Sequence, residues 1–158
     1  MTTAGCLPHA FGSVPLVIFT PICYFSLMNT ITKKGEIQRI KEVLEGLRGE
    51  GTILLAYLYG SYAKGSPHLR SDIDIAVYLD SKDEDVRIEA VDRILMSCGR
   101  DIEVLFLDDE NESPFVIQEA LKGIPLIQPD KDKLNDVSDR VMHESEGKRF
   151  KRQASNEA

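Results

Sequence analysis

The chain has 158 residues, of which 42% are hydrophobic and 28% are charged, and its formal net charge is -7. This length allows one well-packed core but is short for two independent domains, and the composition excludes a fibrous or fully disordered chain. A net negative surface repels polyanions, so general nucleic-acid binding is not expected. Cys6, Cys23 and Cys98 match neither a disulfide framework nor a zinc motif, which favours a reducing, cytoplasmic setting.

Residues 1–27 form an apolar extension at the amino terminus. A signal peptide or membrane anchor is not expected here, because no basic segment precedes the apolar stretch and Pro15 and Pro21 interrupt it. Both Met1 and Met28 are possible natural starts, and a start at Met28 would make the extension foreign to the native protein. The sequence therefore predicts no association with a membrane.

Hydrophobic periodicity predicts helices and strands in alternation along the rest of the chain. In order, they are a helix at 33–49, a strand at 52–59, a helical turn at 61–64, a strand at 72–79, a helix at 83–97, a strand at 102–107, a helix at 113–123 and a strand at 124–127. This order predicts an α/β (α+β) fold in which helices pack against a small mixed sheet. We expect one domain over 28–128 and a polar surface helix with a frayed tail over 129–158.

A glycine-serine pair and two aspartates stand at the ends of the first two strands. Ten residues separate Ser61 from Asp72, and alternation along the strand places Asp72 and Asp74 on one face while Ile73 points into the core. Gly60-Ser61 before a helical turn offers N–H groups and a hydroxyl to phosphate oxygens, although Ser61 could instead only cap the turn. Two neighbouring carboxylates repel unless a divalent cation bridges them. The pattern predicts a magnesium-nucleotide site.

The segment 60–77 resembles the Gly-Ser-x10-Asp-x-Asp signature of the DNA polymerase beta-like nucleotidyltransferase superfamily, and in particular its minimal nucleotidyltransferases. The match extends to Ala63, Lys64, Gly65 and Ser71. The resemblance implies the polymerase beta-like fold, ATP as substrate, and two Mg²⁺ ions held by Asp72 and Asp74. It also implies that Gly60 and Ser61 hold the outer phosphates.

Members of this superfamily use a third carboxylate from a later strand. Glu103 lies inside the third strand and is our choice, while Asp101, two residues earlier on the same face, is the alternative. A glutamate stands where an aspartate is more usual, and Glu103 could also be an ordinary solvent-facing residue. Lys64 and Arg70 could neutralise phosphate charge or serve only solubility.

Short stand-alone chains of this kind resemble MntA-type antitoxins, which transfer AMP from ATP to a tyrosine of a HEPN ribonuclease toxin. The small size and acidic surface suit that function, so we expect a HEPN-type toxin as partner and a complex with it. Two alternatives remain open: a binding module that neutralises its partner without catalysis, and an aminoglycoside-type enzyme acting on a small molecule. The basic cluster 148–152 could contact RNA or an acidic partner, or be a solvated tail.

Overall fold

The structure is a computed structural model that describes residues 21–68 and 70–156, with side chains described for 34–68 and 70–149. Its elements are α1 (Pro21–Gly49), β1 (Ile53–Leu58), α2 (Gly60–Ala63), β2 (Ile73–Leu79), α3 (Glu84–Leu95), β3 (Ile102–Phe106), α4 (Pro114–Leu121), β4 (Ile124–Pro125) and α5 (Lys131–Asn156). The predicted order of elements is confirmed.

The chain divides into two compact units, Met1–Lys33 and Lys34–Ala158. The described residues of the first unit belong to α1, which begins at Pro21, earlier than the predicted start at Lys33. Amphipathic spacing could not reveal this earlier start, because the segment before Lys33 is largely uncharged and lacks a polar face, and proline suits a first helical position. No helix within 21–68 and 70–156 combines the length and apolar character that crossing a bilayer requires.

Residues 1–20 of the predicted extension, with Cys6 and Pro15, lie outside the described residues. The division at residue 28 and the choice between Met1 and Met28 therefore stay predictions.

The four strands form one mixed sheet in the order β3-β2-β1-β4. Strand β1 pairs antiparallel with both β2 and β4, while β2 and β3 are parallel. A parallel pair needs a long crossover, which α3 supplies. The predicted small mixed sheet is confirmed.

Hydrophobic side chains cover both faces of the sheet. The first face packs against α1 and α3, with a core that includes Ile40, Leu44, Ile73, Ile75, Val77 and Ile94. The second face packs against α4 and α5, with a core that includes Leu55, Tyr57, Ala76, Ile117, Val137 and Val141. On the face of β2 that carries Asp74, Ala76 is buried while Asp74 and Tyr78 are half-buried, so this face leaves room for polar groups.

Helix α5 contributes to the second core, although its sequence predicts only a polar surface helix. Val137, Val141 and Ser145 are buried, and the Arg149 guanidinium lies 5.9 Å from the ring centroid of Phe115 on α4. Two valines four residues apart are too few to give a strong amphipathic signal in so polar a helix. The side chains of residues 150–152 in the basic cluster lie outside the described residues.

Candidate active site

Gly60 makes the bend that brings the end of β1 against the start of β2. Its φ angle is +66°, and a Cβ at this position would lie 1.9 Å from Oδ2 of Asp74. The N–H of Tyr59 donates to the Asp74 carbonyl at 3.0 Å, which aligns the two strand ends. A glycine is required here for its backbone conformation and for the missing side chain.

The carboxylate of Asp74 is held by the turn that follows β1. The backbone N–H of Ser61 donates a hydrogen bond to it. That N–H, which the sequence offered to a phosphate, is therefore engaged by an acid in this structure. Ser61 also lies inside α2 rather than capping it, because the cap position belongs to Tyr59, which makes no side-chain cap bond.

Strand pairing brings a second carboxylate beside Asp74. In the parallel β2–β3 pair, Asp74 is in register with Glu103, one position on from the Ile73–Ile102 pair. Asp101 lies before β3, where its carbonyl accepts from the Ile73 N–H at 3.0 Å. Of the two candidates for a third acid, Glu103 is therefore the one that lies next to Asp74 within the sheet.

The acids of this edge repel one another. Burial raises the pKa of Asp74, and the negative charges of Glu103 and Asp72 raise it further, while the hydrogen bond from Ser61 acts in the opposite direction. Like charges that share a site favour the protonated form of one of them. This arrangement suits a bound cation, which would favour the charged form of all three.

Tyr59 belongs to the same site, and the motif did not identify it. Burial raises its pKa to about 12, and the charges of Asp74, Glu103 and Glu112 contribute to the shift. The phenol is therefore protonated at neutral pH and presents a hydrogen-bond donor beside the acids. Its position directly before Gly60, at the end of a buried strand, is the signal that could have found it.

A cleft of about 580 Å³ adjoins the acids at the end of the sheet. It is lined by Glu36, Arg70, Ser71, Asp72, Gly99, Arg100 and Asp101. Nε of Arg100 lies 2.9 Å from Oε2 of Glu36, so this ion pair joins α1 to the loop before β3. The structure thus divides the predicted acids: Asp74 and Glu103 lie in the sheet, while Asp72 lines the cleft with Asp101.

The two predicted basic residues lie apart. Arg70 is exposed and lines the cleft beside Asp72. Lys64 is exposed after α2, with Nζ 3.6 Å from Oε1 of Glu119 on α4. An exposed ion pair of this length is weak, so Lys64 can exchange Glu119 for a phosphate at little cost.

The three acids do not form a closed metal cage. Among residues 34–68 and 70–149, no three His, Cys, Asp or Glu side chains converge closely enough to hold an ion by themselves. Magnesium, however, is commonly bound by one or two carboxylates together with substrate phosphates and water rather than by protein ligands alone. The adjacent carboxylates of Asp74 and Glu103, with Asp72 nearby, are hard oxygen donors that fit this open form of site.

Comparison with solved structures finds the same fold in chains of toxin–antitoxin complexes. A chain from a crystal structure of a toxin–antitoxin with AMP-PNP is 22% identical, with a TM-score of 0.57, over 74% of this chain and 95% of that one. A chain from the MntA-HepT toxin–antitoxin is 20% identical, with a TM-score of 0.53, over 76% of this chain and 95% of the other.

A third similar chain comes from a complex of tri-AMPylated Shewanella oneidensis HEPN toxin with MNT antitoxin. It is 20% identical, with a TM-score of 0.54, over 77% of this chain and 96% of that chain. Among proteins of curated function, none matched the sequence.

The family model described as polymerase beta, nucleotidyltransferase matches residues 38–132. This segment covers more than half of the chain and contains every predicted site residue from Gly60 to Glu103. The expectation raised by the Gly-Ser-x10-Asp-x-Asp pattern is thereby confirmed at the level of the family. The chain belongs to the polymerase beta nucleotidyltransferase family.

Proposed function

We propose that this protein is an antitoxin that transfers AMP from ATP to a tyrosine of a HEPN-type toxin. The observation that carries the catalytic part is the register of Asp74 with Glu103, beside a turn whose Ser61 N–H holds Asp74. The partner is suggested by similarity to chains of toxin–antitoxin complexes, one with AMP-PNP and one with an AMPylated toxin. We place the reaction in the cytoplasm, where a free thiol such as Cys98 stays reduced.

Asp72, Asp74 and Glu103 are the residues that would hold two Mg²⁺ ions. When bound, magnesium supplies charge neutralisation for the triphosphate and lowers the pKa of the attacking hydroxyl. Burial and the neighbouring charges of Glu103 and Asp72 raise the pKa of Asp74, and a bound cation would offset that repulsion, so we expect nucleotide and metal to bind together.

The rest of the site orients the reactants. As the family motif implies, Gly60, Ser61 and Lys64 would hold the outer phosphates. Arg70 lines the cleft, where it would neutralise further phosphate charge. The tyrosine oxygen of the acceptor attacks the α-phosphorus, the bond from that phosphorus to the bridging oxygen breaks, and pyrophosphate leaves. Glu103 takes the hydroxyl proton as general base.

Purified protein incubated with labelled ATP, Mg²⁺ and the product of the adjacent gene tests this function. We expect label on that polypeptide, mapped by mass spectrometry to a tyrosine, and no label with Asp72→Ala/Asp74→Ala. A tight complex that neutralises the toxin without any label would show a binding module instead. Label on an added aminoglycoside rather than on protein would show a small-molecule enzyme.

A further inference from the structure

Helix α3 presents apolar side chains that the domain leaves exposed. Ile88 is 52% exposed and Met96 is 86% exposed. Two clefts of about 420 and 390 Å³ adjoin along this helix, and both are lined by Ile88 and Asp92. Their apolar lining comes from Ile88, Val91, Met96 and Phe106, and we call this surface the α3 groove.

Carboxylates dominate the rim of the α3 groove. The four acids that line it are Glu84, Asp85, Glu89 and Asp92. In the part of the chain whose side chains are described, none of these four forms an ion pair within 4.0 Å. The two arginines of the rim already form ion pairs with other acids. Nη1 of Arg87 lies 2.8 Å from Oδ2 of Asp108, and Nη1 of Arg93 lies 2.8 Å from Oε2 of Glu50.

The groove lies at the outer edge of the sheet. Strand β3 is the last strand on this side, and it carries both Glu103 and the groove residue Phe106. These side chains lie on opposite faces of β3, because they are three positions apart. A partner held in the groove therefore contacts β3 on the face opposite Glu103.

We propose that the α3 groove binds an amphipathic helix of a partner protein, with lysines and arginines flanking its apolar face. The groove is lined by apolar residues and follows α3 for about three turns, so its shape and lining suit the apolar face of a second helix. The unpaired carboxylates of the rim select a basic partner and exclude an acidic one. The identification of this partner as the acceptor protein rests on the proposed function. The preference of the groove for a basic helix is independent of that function.

Two synthetic helices, one of leucine and lysine and one of leucine and glutamate, are the probes that test this preference. The full-length protein is expected to bind the lysine helix, more weakly as salt rises, and not the glutamate helix. Ile88→Ser/Met96→Ser should weaken this binding about tenfold, as expected for the loss of two apolar anchors. The matched control Val116→Ser/Met142→Ser removes residues that are 41% and 53% exposed elsewhere and should bind as the unaltered protein does.

The adjacent gene product, tested with the same variants, links the groove to the proposed function. Loss of complex with Ile88→Ser/Met96→Ser but not with Asp72→Ala/Asp74→Ala supports docking in the groove, whether or not AMP is transferred. Equal affinity of both serine variants for the lysine helix would overturn the proposal. A dimer in light scattering that only Ile88→Ser/Met96→Ser dissociates would also overturn it, because a second copy would then fill the groove.

Discussion

At Gly60 a single added methyl group would disturb the position of the Asp74 carboxylate. Gly60→Ala places Cβ 1.9 Å from Oδ2 of Asp74 and keeps a left-handed φ, so the Asp74 carboxylate has to leave its position. We expect nucleotidyl transfer to fall by about 100-fold, as for misplaced reacting groups, and stability to fall by about 1–3 kcal/mol. Transfer assays and urea unfolding measure the two effects.

Gly51 supplies the matched control. Its φ is +76°, but nothing lies within 4 Å of a Cβ at that position. Gly51→Ala should cost about 1–2 kcal/mol of stability through backbone strain and leave transfer unchanged. Equal loss of activity in both variants would show that contact with Asp74 is not the reason for Gly60.

The raised pKa of Asp74 predicts a dependence of stability on pH. A carboxyl whose pKa is higher in the folded state stabilises that state below its ordinary value of 3.8 and loses this contribution as pH rises through the raised value. Asp74→Asn removes the charge, so without metal the variant should melt at a higher temperature than the unaltered protein at pH 7 and at a similar temperature near pH 3. Calorimetry of both proteins between pH 3 and pH 7 measures this difference. If melting temperature depended on pH in the same way in both, the repulsion between Asp74 and its neighbouring acids would be contradicted.

MgATP should reduce the advantage in melting temperature that Asp74→Asn has at neutral pH. With MgATP present, Asp74→Asn is expected to gain less in melting temperature than the unaltered protein, because its cation site is weakened.

On the scale of elements, the β2–β3 register separates the two candidates for the third acid. Glu103 pairs with Asp74, whereas Asp101 precedes the strand and lines the cleft. Glu103→Gln should lower the rate of transfer by about 10²–10⁴-fold, the range for losing a general base, whereas Asp101→Asn should lower it by less than about tenfold. Single-turnover kinetics with saturating ATP measure the transfer rate of both variants. A larger loss of rate in Asp101→Asn than in Glu103→Gln would make Asp101 the general base.

Helix α5 should be part of the cooperative fold. Val141 is 1% exposed, and Val141→Ala should cost about 1–3 kcal/mol through lost burial and a cavity. The neighbouring Met142 is 53% exposed, so Met142→Ala should change stability by less than about 0.5 kcal/mol. Urea unfolding of both variants gives the comparison, and a cost near zero for Val141→Ala would show that α5 is not docked.

For the whole molecule, the unit Lys34–Ala158 contains both described cores. A chain that starts at Met28 should therefore keep its melting temperature to within a few degrees. A chain that ends at Gln128 loses Val137 and Val141 and uncovers the second face of the sheet, so we expect it to aggregate or unfold. Circular dichroism and light scattering follow both truncations.

The sequence by itself determined the family, the order of elements and the local part of the site. These features depend on short-range rules: the alternation that buries Ile73 beside Asp74, the helical spacing from Ile37 to Leu47, and the Gly60-Ser61 pair ten residues before Asp72. Each of these rules involves only residues that are close together in the sequence.

Tertiary structure decided what depends on contacts between distant segments. The pairing of Asp74 with Glu103 follows from strand register. The folded chain also brings the charges of Glu103 and Glu112, which are distant in sequence, near Tyr59. Likewise, α5 completes the second core with two valines that its own polar sequence barely marks. Register and docking minimise the free energy of the whole domain, so no local window of sequence can specify them.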